Sequence, residues 1–317
     1  MINNRKRDFT ILLGIVLAIM LVPMVAGEYY LYLIRLIGIY TLLALGLNIF
    51  MGFAGQINLG SAGFFCIGAY TAGILVTKLA WHYLAALPVA VLLTVVIAWG
   101  MSYPLLRLRG HAMAIGTLAF AMAIFLVAAR AHWLTGGENG IVFPSVSLWG
   151  HRLGGVFFYY FILVFAVAGF IFCYSLVNSR DGRALKAIRD NEDAAAAIGV
   201  DAIHYKRFAW LISGGFGGLA GALYGPQADF LGPSTFALWT NILALVMICV
   251  GGLGSNLGSV IGAAIMTTLP YFVQGVAGYV LLIQALVLFF VLRFLPGGVV
   301  GTAGKILSER SEARTED

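Results

Sequence analysis

Between Arg35 and Lys78 the chain carries no charged residue. A helix crosses the hydrocarbon core of a bilayer in about 20 apolar residues. The stretch is too long for one crossing, so the chain must turn inside it. Gly52, Gly55, Gln56 and Asn58 mark the place, because Gly and Asn accept the backbone angles that turns require. Whether 51–61 is a simple turn or a re-entrant segment stays open. Composition extends the same argument to the whole chain. Of its 317 residues 61% are hydrophobic and 10% charged, against about 25% charged in ordinary soluble domains. Such a chain cannot cover itself with a water-compatible surface. That excludes a water-soluble enzyme, a disordered chain and a secreted disulfide scaffold. Cys66, Cys173 and Cys249 stand singly within apolar runs. They read as small core hydrophobes, not metal ligands.

The expected fold class is an all-α polytopic membrane protein with about ten transmembrane helices. The spans fall near 9–27, 31–50, 59–77, 84–106, 112–129, 157–178, 208–226, 237–253, 259–275 and 278–294. The first follows Arg5, Lys6 and Arg7, is longer than a signal-peptide core, and reads as a retained helix. With the N-terminus inside and alternating crossings, Arg35, Lys78, Arg130 and Arg152 lie outside and the rest of the 19 Lys and Arg lie inside. That asymmetry predicts N-in, C-in topology and accounts for the net charge of +6 without nucleic acid as a partner. The expected organisation is a transmembrane domain over 1–306 and a polar cytoplasmic tail over 307–317. Within the domain, 130–156 is the long outer loop and 179–207 the long inner one.

Absent motifs narrow the chemistry. There is no GxxxxGK[ST], so ATP is not held by a P-loop here. There is no HExxH and no paired-Cys motif, so no metal site is expected. His82, His111, His132, His151 and His204 lie near span ends or in loops and read as interfacial. Away from their ends the spans carry no Asp, Glu, Lys or Arg. Ion-coupled carriers usually need such groups inside the membrane, which disfavours an autonomous ion-coupled carrier or channel. No nucleophile–base constellation suggests an intramembrane enzyme.

What remains is small residues and uncharged polar groups. The chain has 40 glycines. Ser213, Gly217, Gly221 and Gly225 recur every fourth residue on one helix, a stripe that lets backbones approach closely. Two glycine-polar segments, Gly52–Ser61 and Gly251–Ser259, echo each other. They read either as tight turns or as irregular backbone lining a path. Gln56, Asn58, Ser61, Thr117 and Asn241 are the candidate path-lining residues. In the inner loop, Leu185 and Ile188 share one helical face. Asp190, Asn191 or Asp193 is placed to cap a second short helix through Ala194–Ile198, and Gly199 to end it.

Several of these stretches resemble a known family. Asn48–Ala72 (NIFMGFAGQINLGSAGFFCIGAYTA), Leu105–Phe120 (LLRLRGHAMAIGTLAF), Leu134–Ile141 (LTGGENGI), Asp181–Gly225 and Val250–Gly262 (VGGLGSNLGSVIG) are similar to the LivM-like permeases of high-affinity branched-chain amino-acid ABC importers. Gly110-His111 departs from the family, where an acidic residue more often follows the glycine. The resemblance implies an ABC-importer permease bundle in a bacterial inner membrane, carrying leucine, isoleucine and valine. Urea, short amides or other amino acids are the alternative cargoes. It implies a homologous LivH-like permease, two cytoplasmic ATPase subunits that bind ATP and Mg, and a periplasmic binding protein as partners, with no cofactor in this chain. It also implies that Arg183, Asp190, Glu192, Ala195 and Gly199 of the inner loop face the ATPase.

Overall fold

The computed structural model describes Pro23 and residues 27–108, 110–144, 147–148, 151–152, 155–272, 280–294 and 297–302. The expected first span at 9–27 and the tail 307–317 lie outside the described residues, Pro23 and Gly27 apart. Each of the other nine expected spans is helical over most of its described residues. They are α1 (Glu28–Asn48, continued by a π turn over Ile49–Phe53), α2 (Ser61–Thr77), α3 (Tyr83–Leu105), α4 (His111–Arg130) and α5 (Gly155–Asn178). Then come two short helices, α6 (Arg180–Asp190) and α7 (Glu192–Ala197). They are followed by α8 (Ala202–Ala228), α9 (Leu238–Gly251), α10 (Asn256–Phe272) and α11 (Val280–Phe294). Among the described residues, Glu28–Phe53, α3, α4 and α5 are long and apolar enough to cross a membrane unaided. The chain is an all-α multi-pass membrane protein.

Burial sorts the helices into two layers. The most apolar window of the first of these spans is 78% buried, whereas those of α3, α4 and α5 are 28–33% buried. In water that much exposed apolar surface would be a liability. In a bilayer the lipid covers it, and Leu92, Val96, Ile115 and Val164 form that outer face. α1, α2 and α8 make the inner layer, where α8 packs on α2, α3 and α1.

Small residues decide how closely that layer packs. The middle of the expected stripe faces α2, and its end meets Phe143 of the loop that follows α4. A methyl group on Gly217 would press on Phe64 Cβ, one on Gly221 would overlap the Phe65 carbonyl, and one on Gly225 would enter the Phe143 ring. Gly68 supplies the matching gap on α2, against the Gly218 backbone. Ser213 is buried one turn earlier. Without a hydrophobic drive between helices in lipid, such close backbone approach is what holds them. Trp210 anchors the crossing. It is fully buried, donates Nε1–H to the Ala98 carbonyl at 2.9 Å, and meets the Phe50 and Phe64 rings edge-on. Gly221→Val should keep α8 from seating on α2, since overpacking costs about 1–3 kcal/mol. The variant is expected to lose its monodisperse peak on size exclusion in detergent; a native melting curve would show that the crossing has slack.

The loops gather at the two ends of the bundle. At one end, Ile141 and Val142 pair antiparallel with Leu231 and Phe230. Phe143 N donates to Asp229 O at 2.8 Å, and Lys78 donates to Trp133 O. Arg35 lies at this end and is 5% exposed. It donates to Gly155 O at 2.9 Å and pairs with Glu28 at 3.1 Å, tying the starts of α1 and α5. At the other end lie α6, α7 and the two glycine-polar segments.

Candidate functional site

The break in the charge-free stretch is built from the inside of α1. The helix loosens into the π turn at Ile49–Phe53, then runs irregularly until Gly60 caps α2. Gly55 takes φ +68°, a left-handed angle that glycine adopts without penalty. Such backbone is tolerated at membrane depth only where protein or a cavity satisfies it. Here protein does so. Asn48, fully buried, donates Nδ2 to Ser255 O and accepts Gly254 N at Oδ1, both at 2.9 Å. The second glycine-polar segment is therefore bonded to the last residue of α1, four positions ahead of the first segment.

A third segment joins them. Arg189, in the last turn of α6, donates Nη1 to Gly52 O at 2.8 Å. A methyl group on Gly55 would touch Arg189 Cγ at 2.7 Å, and one on Gly254 would touch Arg189 Nη1 at 2.8 Å. The arginine thus lies over both glycine-polar turns and links them to the loop 179–207.

That loop is ordered by local rules. Ser179 caps α6, accepting Asp181 N and Gly182 N. Gly182, Leu185 and Ile188 form its buried face, and Lys186 lies over the Phe53 ring. Of the three residues the sequence offers as the second cap, Asn191 fills the role, accepting Ala194 N at 3.0 Å. Gly199, with φ +86°, turns the chain out of α7, and Asp201 caps α8.

The loop residues named from sequence separate by environment. Arg183 and Asp190 are exposed. Glu192 pairs with Lys206 at 2.6 Å, and this lysine is nearly buried. Ala195 is 2% exposed and turned inward. The outward surface of the hairpin is instead Asp193, Ala194, Ala196, Ala197 and Gly199, with Ile198 at 78% and Ile203 at 58% exposure. Nothing in the sequence marks the two isoleucines as the outer face.

Four of the five candidate path residues converge on the start of α2. Asn58, Ser61, Thr117 and Asn241 are each at most 1% exposed. Thr117 Oγ1 accepts Leu59 N at 3.0 Å, and Asn58 Oδ1 accepts Gly60 N at 2.7 Å. Asn241 Oδ1, on α9, accepts Ala62 N at 2.7 Å and faces Ser61 Oγ at 3.5 Å. Gln56 does not join them. It is half-buried and folds back on Ala54 O. The Nδ2 groups of Asn58 and Asn241 have no protein partner, and a buried amide left in that state costs about 1–3 kcal/mol. Asn48 and Arg189, which hold the break in place, carry no local sequence signal. Among the described residues no group of three or more His, Cys, Asp and Glu comes together as a metal site.

A family model described as the branched-chain amino acid transport system permease component matches residues 29–295. The chain is 30% identical over 253 residues to the high-affinity branched-chain amino acid transport system permease protein LivM of Salmonella typhimurium (strain LT2). That match covers 72% of this chain and 60% of the LivM protein. It is 26% identical over 299 residues to the corresponding permease BraD of Pseudomonas aeruginosa (strain PAO1), covering 86% and 97% of the two chains. It is 26% identical over 262 residues to a probable branched-chain amino acid transport permease LivM of Methanocaldococcus jannaschii, covering 71% and 75%. The chain thus spans about 60% of the length of the Salmonella LivM it matches. No solved structure matches it.

Proposed function

We propose that this chain, which belongs to the branched-chain amino acid transport permease family, is the membrane-spanning subunit of an ATP-driven ABC importer. The cargo is leucine, isoleucine or valine, delivered by a periplasmic binding protein. A homologous LivH-like permease supplies the other half of the path. Two cytoplasmic ATPase subunits bind ATP and Mg, and this chain holds no cofactor. It resides in a bacterial inner membrane with both termini inside.

The observation that carries the reading is the α6–α7 hairpin. Its inner face is closed by Leu185, Ile188 and Ala195, its outer face around α7 is mostly small and apolar with Asp193 among it, and its arginine is bonded to the break in the membrane helix. A partner that moves the outer face moves the break. The basic residues of this end, Lys186, Arg189, Lys206 and Arg207 among them, suit the cytoplasmic side. The pairing of Ile141–Val142 with Phe230–Leu231 then lies on the periplasmic side, where the loaded binding protein docks on 130–156. In the cycle proposed, ATP closes the ATPase dimer, the hairpin follows it, and the break at 54–60 opens the path alternately to each side. Gln56, Asn58, Ser61, Thr117 and Asn241 border that path.

The test is uptake of labelled leucine into vesicles holding the reconstituted complex, with ATP inside and binding protein outside. ATP-dependent accumulation is expected. Vesicles that ignore leucine but accumulate urea or a short amide would keep the importer and discard the cargo. Ile198→Glu checks the docking face separately. Ile198 is 78% exposed, so the folded chain loses little. Burying its charge against a partner should weaken co-purification of the ATPase subunits about tenfold or more. Undiminished co-purification would move the docking face elsewhere.

A further inference from the structure

We propose that the N-terminus of α2 is a binding site for the carboxylate of the transported amino acid, with Asn58 Nδ2, Asn241 Nδ2 and Ser61 Oγ as its donors. The proposal rests on the transport reading above and adds the chemical group that the path recognises.

The two asparagines cannot be rotated out of their predicament. Each Oδ1 accepts a backbone N–H, from Gly60 at 2.7 Å and from Ala62 at 2.7 Å. A backbone N–H can only donate, so exchanging oxygen for nitrogen would set donor against donor. Both Nδ2 groups therefore remain donors without acceptors, in residues 1% exposed, attached through their own carboxamides to the first turn of α2. Ser61 Oγ–H has only a long contact of 3.5 Å to Asn241 Oδ1, which leaves it free to turn toward a better acceptor.

Charge sets the class of ligand. A helix N-terminus carries a partial positive charge, so it favours anions; here Gly60 N and Ala62 N are already taken by the asparagines, and the two Nδ2 groups are the donors left over. Discontinuous membrane helices use this end for anionic substrate groups. No acidic residue lies on α2, on the segment 54–60 or on α9, so nothing nearby repels a carboxylate. Donors without acceptors offer nothing to an ammonium group, so the polarity is one-sided. The site is closed in this conformation and close to the surface: Asn58 is 1% exposed and its neighbour Ile57 36%. The segment 54–60 that carries Asn58 is held by Thr117 Oγ1 at Leu59 and has Arg189 laid against Gly55. Loosening it uncovers the donors.

The experiment uses the assembled permease–ATPase complex in nanodiscs, without binding protein, and labelled leucine. Two competitors divide the ligand: 4-methylpentanoate keeps the carboxylate and lacks the amine, and 3-methylbutylamine keeps the amine and lacks the carboxylate. Displacement by the first and not the second is expected on the native complex, where no variant has to fold. Asn58→Asp and Asn241→Asp each keep an acceptor for the helix and replace the donor with a negative charge. Each should weaken leucine binding about tenfold or more, the loss expected for a charge-assisted hydrogen bond turned repulsive. Equal competition by the amine, native affinity in both variants, or no saturable leucine binding in a complex that takes up leucine would overturn the site and leave the transport reading intact; the orphaned amides would then hold water. A native complex that accumulates no leucine in the vesicle assay overturns the cargo assignment and the site with it.

Discussion

Asn48→Leu should destabilise the folded chain by about 2–4 kcal/mol, a large effect for a replacement that keeps the branched shape of the side chain. Leucine fills the space of asparagine and removes both of its bonds. Gly254 N loses its acceptor and Ser255 O its donor, each now at 2.9 Å. Asn48 is fully buried, so water cannot replace the side chain where it stood. Asn48→Asp isolates the mechanism. It keeps an acceptor for Gly254 N, loses the donor to Ser255 O, and buries a charge, so it should be at least as damaging. The measurement is thermal unfolding in detergent, followed by tryptophan fluorescence. If the leucine variant melts with the native chain, the junction of the two glycine-polar segments is not held by this residue.

That junction shows where sequence stops informing about structure. The helices are legible because hydropathy is a local property: a run of apolar residues must be covered wherever it goes. The hairpin of α6 and α7 is legible for the same kind of reason. Leu185 and Ile188 share a face by spacing alone, Asn191 caps by its own side chain, and Gly199 turns because it lacks a Cβ. Each rule needs only neighbours in the chain. Asn48 meets its partners some 206 positions away, and Arg189 meets Gly52 at a separation of 137. No spacing rule reaches that far.

The glycine stripe is an intermediate case. Gly217, Gly221 and Gly225 announce a close contact, but the partner face of Phe64, Phe65 and Gly68 is set by how α2 returns after the break. Polar residues inside that break are harder still. Gln56 and Asn58 differ by two positions and look alike in sequence, yet one is half-buried and the other lies in the core. Irregular backbone has no period from which to read a facing. The loop charges fail similarly. Glu192 reads as a surface carboxylate until Lys206, on the next helix, is found nearly buried beneath it.

Arg189→Ala should separate ATP hydrolysis from transport. The arginine is 44% exposed at its side chain, so its loss removes little packing, and its pair with Asp190 at 3.8 Å is too long and too wet to add much. What it does supply is a donor to Gly52 O and a stem laid against Gly55. These are contacts by which α6 touches the break. With alanine there, α6 keeps its cap at Ser179 and its buried face at Leu185 and Ile188, and α7 keeps its outer surface. On the importer reading proposed above, the ATPase subunits should therefore still bind and still cycle. Motion of the hairpin no longer pulls on Gly52. ATP hydrolysis is expected to stay within about twofold of native, while leucine accumulated per ATP falls about tenfold, within the range of coupling energies between linked sites. Arg189→Lys should fall between the two, since an ammonium retains the charge and a donor but not the fork that lies over both turns. Native leucine uptake per ATP in the alanine variant would mean that the hairpin drives the helices through another contact, the Glu192–Lys206 pair between α7 and α8 being the next to break. Loss of ATPase binding would mean that Arg189 supports the docking face instead of transmitting from it. A double-mutant cycle between Arg189→Ala and Gly55→Ala measures the coupling directly. If the arginine acts through this turn, the strain that alanine meets at φ +68° and its overlap with Arg189 Cγ should affect transport less once the arginine is gone.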